Sequence, residues 1–104
     1  VKDYERLIAE ASALAESLEL KNIVISLDEN PDPDALFRAG PVLVLHESEY
    51  FGNGLTFRKE LLNPTWADIL RAADEAAEHI DDLHHCYLER VWSEHGTVTF
   101  YFGS

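Results

Sequence analysis

Apolar residues first recur at three- and four-residue spacing. Tyr4, Leu7, Ile8, Ala11, Leu14, Ala15 and Leu18 make one stripe, which predicts an amphipathic helix over residues 3–19. Asp3 and Glu5 stand in its first turn, where negative charge suits the positive end of the helix dipole. The period then shortens. Residues 22–27 (NIVISL) and 42–46 (VLVLH) are near-continuous apolar runs rich in β-branched side chains, and predict strands. Between them, Pro31 and Pro33 hold residues 28–34 in a loop, followed by a short helical turn over residues 34–38 that Gly40-Pro41 stops. Gly52-Asn53-Gly54 is a turn signal because these residues tolerate positive φ, and residues 55–59 form the returning strand.

Helical spacing resumes with Trp66, Ile69, Leu70, Ala73, Ala76, Ala77 and Ile80. Asn63-Pro64-Thr65 opens this second helix, and Thr65 with Asp68 three residues later approximates a capping box. Residues 84–92 and 97–102 predict a last hairpin around Ser93-Glu94-His95-Gly96. The order is α-β-β-β-α-β-β, an α+β chain read as a single domain over residues 1–104. Its economical packing is a two-layer sandwich: a five-stranded, mainly antiparallel sheet with both helices on one face. The last hairpin supplies large rings to both of its faces through Tyr87, Trp92, Phe100, Tyr101 and Phe102. A ringed face that no helix covers points to dimerisation. The element order is similar to that of the small acidic dimeric secretion chaperones of bacteria, without the third helix that follows their last strand.

Charge changes the picture. Twenty acids against eight bases give a formal net charge of −12, yet hydrophobic residues at 46% are enough for a core. Residues 1–34 hold nine acids and three bases, residues 35–64 three of each, and residues 65–104 eight acids and two bases. Repulsion of this kind argues against nucleic acid or an anionic membrane surface as partner. It leaves the neutral middle third as the expected contact surface. No apolar run approaches the length that spans a bilayer, and the charged residues Lys2, Asp3, Glu5, Arg6 and Glu10 interrupt any signal-peptide core at this terminus. One cysteine, Cys86, suits a reducing, cytoplasmic setting.

Candidate chemistry is sparse. His79, His84, His85, Cys86 and His95 are the nearest approach to a metal site, with His84, His85 and Cys86 as the candidate ligands, but no Cys-x-x-Cys or His-x-x-x-His spacing occurs. Asp28, Asn30, Asp32 and Asp34 alternate as in a calcium loop. Pro33 then stands where an EF-hand requires glycine, and Ala39 where it requires a bidentate glutamate. Cys86 beside His84 as nucleophile and base, or Glu47 and Glu49 as paired carboxylates, lacks the convergence from separate elements that catalysis needs. No Gly-x-Ser-x-Gly, Walker loop or dinucleotide fingerprint is present.

Aromatic residues and arginine are enriched at interface hot spots, and Tyr50, Phe51, Asn53 and Arg58 lie in the neutral third. With Trp92 they are the expected binding residues. The sequence therefore predicts a non-enzymatic, chaperone-like or adaptor homodimer that binds a protein partner and needs no cofactor. An acidic inhibitor or immunity-type protein covering a basic site is the second expectation. A small metal protein or enzyme using the 84–86 region is the third.

Overall fold

The computed structural model describes residues 2–47, 55–81 and 85–104. These form two helices and a five-stranded mixed sheet: α1 (Lys2–Ser17), β1 (Val24–Ile25), β2 (Pro41–Glu47), β3 (Thr56–Leu62), α2 (Trp66–Ile80), β4 (Tyr87–Glu94) and β5 (Thr97–Gly103). The element order is the expected one. The sheet order is β1-β4-β5-β2-β3. Each hairpin, β2–β3 and β4–β5, is antiparallel, while β2 joins β5 and β1 joins β4 in parallel. The expectation of a mainly antiparallel sheet holds within the hairpins, and the joints between them make it mixed.

Local chemistry sets the helix ends. Thr65 Oγ1 accepts from the Asp68 N–H, and the Asp68 carboxylate accepts from the Thr65 N–H at 2.9 Å, so the capping box is complete despite the short side chain. α1 ends where Glu19 turns left-handed (φ 58°) and the Leu20 N–H reaches back to the Ala15 carbonyl. Its stripe buries less than its spacing predicts. Ala11 is buried and Leu14, Ala15 and Leu18 pack on the core, but Tyr4 and Ile8 are exposed. Residues 34–38 do not form a helical turn. The Asp32 carboxylate accepts from the Asp34 N–H, the chain turns at residues 32–35, and Leu36 bridges in extended form to Thr65.

β1 is a two-residue ladder where the sequence predicts six residues, and Asp74 of α2 accounts for its late start. Its Oδ1 accepts from the backbone N–H groups of Lys21 (3.0 Å), Asn22 (2.7 Å) and Ile23 (3.2 Å), so these donors are taken before the strand begins. β3 runs three residues further than expected because β2 extends back to Pro41, which pairs with Leu62. Proline is tolerated there as the first residue of its strand. β4 and β5 meet in a two-residue turn in which His95 and Gly96 both have positive φ, 51° and 79°.

One core joins these parts. Ile69, Leu70, Ala72, Ala73 and Ala76 of α2 and Ala11 of α1 meet Ile23, Ile25, Val42, Val44, Leu88, Val98, Phe100 and Phe102. The strand residues in this group are alternate positions, which point to one side of a pleated sheet. Leu88 and Val91 both turn to the core although three residues apart. A bulge makes this possible: Leu88 pairs with Phe102 and Arg90 with Tyr101, leaving Glu89 as the extra residue.

Candidate functional site

The alternate positions that turn away from the core define the other face of the sheet. From β4 to β3 it carries Arg90 and Trp92, then Thr97, Thr99 and Tyr101, then Leu43, Leu45 and Glu47, then Arg58, Glu60 and Leu62. The core residues fix this phase, since Val42 and Val44 pair with Leu61 and Lys59 on the helix side. Exposed large apolar side chains collect here. Trp92 is 57% exposed, Tyr101 47% and Leu62 72%, and Val24 and Tyr87 at the β1–β4 margin are also exposed.

A shallow concavity of about 860 Å³ lies on this face, walled by Leu45, Glu47, Glu89, Arg90, Trp92 and Tyr101. Glu89 enters it because of the bulge. Its carboxyl group lies so close over Gly103 that any β-carbon at that position would collide with it. Arg58 and Arg90 share this surface with Glu47, Glu60, Glu89 and Glu94, a net charge of −2 on the face against −12 for the chain as a whole.

Of the sequence-predicted binding residues, Trp92 and Arg58 reach this face together. Trp92 pairs with Thr99 on β5, and Arg58 with Leu45 on β2. Three strand spacings separate them, roughly 14 Å, so they frame one surface without touching. Tyr50, Phe51 and Asn53 lie outside the described residues, as does His84. Cys86 is half-buried just before β4, where its carbonyl accepts from the Val24 N–H, and His85 beside it is half-buried. Among the described residues no three of His, Cys, Asp and Glu converge as metal ligands. In the 28–34 loop, Asn30 donates to the Leu7 carbonyl at 2.9 Å and Asp32 caps a turn. Asn30 thus ties the loop to α1, and Asp32 serves the loop's own turn.

Sequence reading missed Leu45, Glu89, Arg90 and Leu62 as members of this face. Alternation in residues 42–46 carried the signal for Leu45, and the three-residue gap between Leu88 and Val91 carried the signal for the bulge. No family model, curated protein or solved structure matches this chain. No helix among the described residues is long and apolar enough to cross a membrane.

Proposed function

We propose that this chain is a non-enzymatic protein-binding module of the reducing cytoplasm, working as a homodimer. The helices form one layer and the sheet the other, and the face turned from the helices takes the partner. The observation that carries this reading is the pair of rings Trp92 and Tyr101, each about half exposed, standing on adjacent strands around the same concavity. Soluble monomers rarely leave such apolar surface contiguous without using it. Trp92 and Tyr101 offer wide, stiff contact area, and Arg58 and Arg90 add planar hydrogen-bonding groups. The partner that fits presents apolar side chains flanked by basic ones, which meet Glu47, Glu89 and Glu94 at the margins.

A benzophenone amino acid placed at position 92 or 101, with position 10 on the outer side of α1 as control, tests this by photo-crosslinking in cells of its source. Discrete adducts from 92 and 101 but not from 10 support the reading. No adduct from the sheet positions, or the same adducts from all three, refutes it. The acidic-inhibitor reading rests on the net charge of −12. It predicts instead that crosslinks concentrate on α1 and the 28–34 loop.

A further inference from the structure

β3 is the long open edge of the sheet. The opposite edge, β1, is only two residues and is blunted by its length, whereas β3 presents seven residues with no strand beyond it among the described residues. We propose that β3 pairs antiparallel with β3 of a second copy, about a two-fold axis through Lys59, to make one continuous sheet across the dimer.

The register follows from symmetry. A two-fold axis perpendicular to the sheet keeps each side chain on its own face, so a residue at the axis must meet its own copy. Lys59 is the midpoint of Thr56–Leu62, and only this centre pairs the whole strand. It sets Arg58 opposite Glu60, Phe57 opposite Leu61 and Thr56 opposite Leu62, each twice. Every pair off the axis is then either opposite in charge or uncharged on both sides. Centring on Arg58 would set arginine against arginine, and centring on Glu60 glutamate against glutamate. Both would also shorten the ladder by two residues. Like charges directly opposite are unfavourable and opposite ones favourable, so the pattern selects one register.

The remaining like pair, Lys59 with Lys59, falls on the helix side. Each Lys59 Nζ is already held by Glu75 of α2, at 3.0 and 2.8 Å from its two carboxylate oxygens. The axis therefore brings together two neutralised ion pairs rather than two bare cations. β2 and β3 also lie in the neutral third of the chain, where two molecules of −12 charge approach with least repulsion. The charges on β3 discourage unrelated strands and accept a copy of themselves. In the dimer both faces carrying Trp92 lie on the same side, so the partner surface doubles.

Sedimentation velocity on the full chain tests this with Arg58→Glu, Glu60→Arg and the double swap. Both positions of change are exposed, so folding is preserved, which far-UV circular dichroism checks. The expected result is a wild-type species of about twice 11.8 kDa, a dimer dissociation constant raised at least about tenfold by either single reversal, and recovery in the double variant. A wild-type protein that stays monomeric at high micromolar concentration overturns the proposal. So does a dimer that ignores both single reversals, or a double swap that fails to recover. Trp92→Ala leaves pairing unchanged here, so edge pairing and partner binding fail separately.

Discussion

Asp74→Ala removes the carboxylate that ties α2 to the backbone of the segment entering β1, leaving only the long Asn22 Nδ2 bond to the Asp74 carbonyl (3.5 Å) among the hydrogen bonds between Asp74 and that segment. Three backbone donors lose their acceptor: Lys21, Asn22 and Ile23. Lys21 is exposed, and water replaces the lost bond there. Asn22 is half-buried and Ile23 is 7% exposed, so those two N–H groups are left poorly solvated. An orphaned buried donor costs about 1–3 kcal/mol, which puts the sum near 3 kcal/mol once partial hydration at Asn22 is allowed for. For a domain of this size that lowers Tm by roughly 12–24 °C. Asp74→Asn keeps the shape and one acceptor oxygen but loses charge assistance, so about half the loss is expected. Urea unfolding followed by far-UV circular dichroism measures both, and hydrogen exchange at residues 21–23 locates the effect. If Asp74→Ala falls within ~0.5 kcal/mol of wild type with an unchanged m-value, the three bonds are not what anchors β1.

Thr65→Ala breaks the capping box of α2 and should cost about 1 kcal/mol, read from the urea midpoint, with Thr65→Ser near neutral. Gly96→Ala forces a β-carbon onto φ 79° in the β4–β5 turn and should cost about 1–2 kcal/mol, whereas Gly96→Asn should lose less. Glu75→Ala removes the ion pair with Lys59, both partners being well exposed, and should change monomer stability by under about 1 kcal/mol. The same change bares two lysines at the proposed dimer axis, so it should weaken self-association far more than it weakens folding, as sedimentation would show. Raising salt from about 10 to 150 mM shortens the Debye length from about 30 to 8 Å. Dimerisation of wild type should therefore tighten over that range, and a steady loosening would show that local attraction, not overall repulsion, dominates.

The helices were legible because their signals are local. Spacing in residues 66–80 marked the buried stripe, and the Thr65–Asp68 pair lies within a single turn. Strand existence was legible for the same reason, but strand length and pairing were not. The start of β1 is set by Asp74, which acts from some fifty residues away. The parallel contact of β2 with β5 joins Leu43 to Thr97 with a helix and two strands between them in sequence, and no period in either segment encodes it. Alternation assigned Phe100 and Phe102 to one side and Tyr101 to the other. In β4 the bulge resets the phase, so strict alternation from Leu88 would have turned Arg90 to the core and Val91 away from it. At the candidate site, Trp92 and Arg58 were legible as interface types. Their sharing of one face was not, because it depends on that bulge and on the strand order.

Charge geography ties the two proposed contacts together. Both acid-rich stretches of α1 and the 28–34 loop belong to the β1 side of the molecule, since α1 packs on β1 residues and Asn30 bonds to Leu7. β3 is the opposite edge, four strand spacings away, or roughly 19 Å. In the edge-to-edge dimer the two α1 regions then stand roughly 40 Å apart, about five Debye lengths at physiological salt. That arrangement therefore separates the acids of α1 and the 28–34 loop, while α2 stands nearer the axis, where Lys59 offsets its Glu75. Stacking two copies through their Trp92 faces would instead bring four pairs of sheet-face acids together across a thin interface, with only Arg58 and Arg90 from each chain to offset them. On the proposed reading the face is thus better suited to a basic-flanked partner and the edge to a second copy, with the acids of α1 held far from the axis.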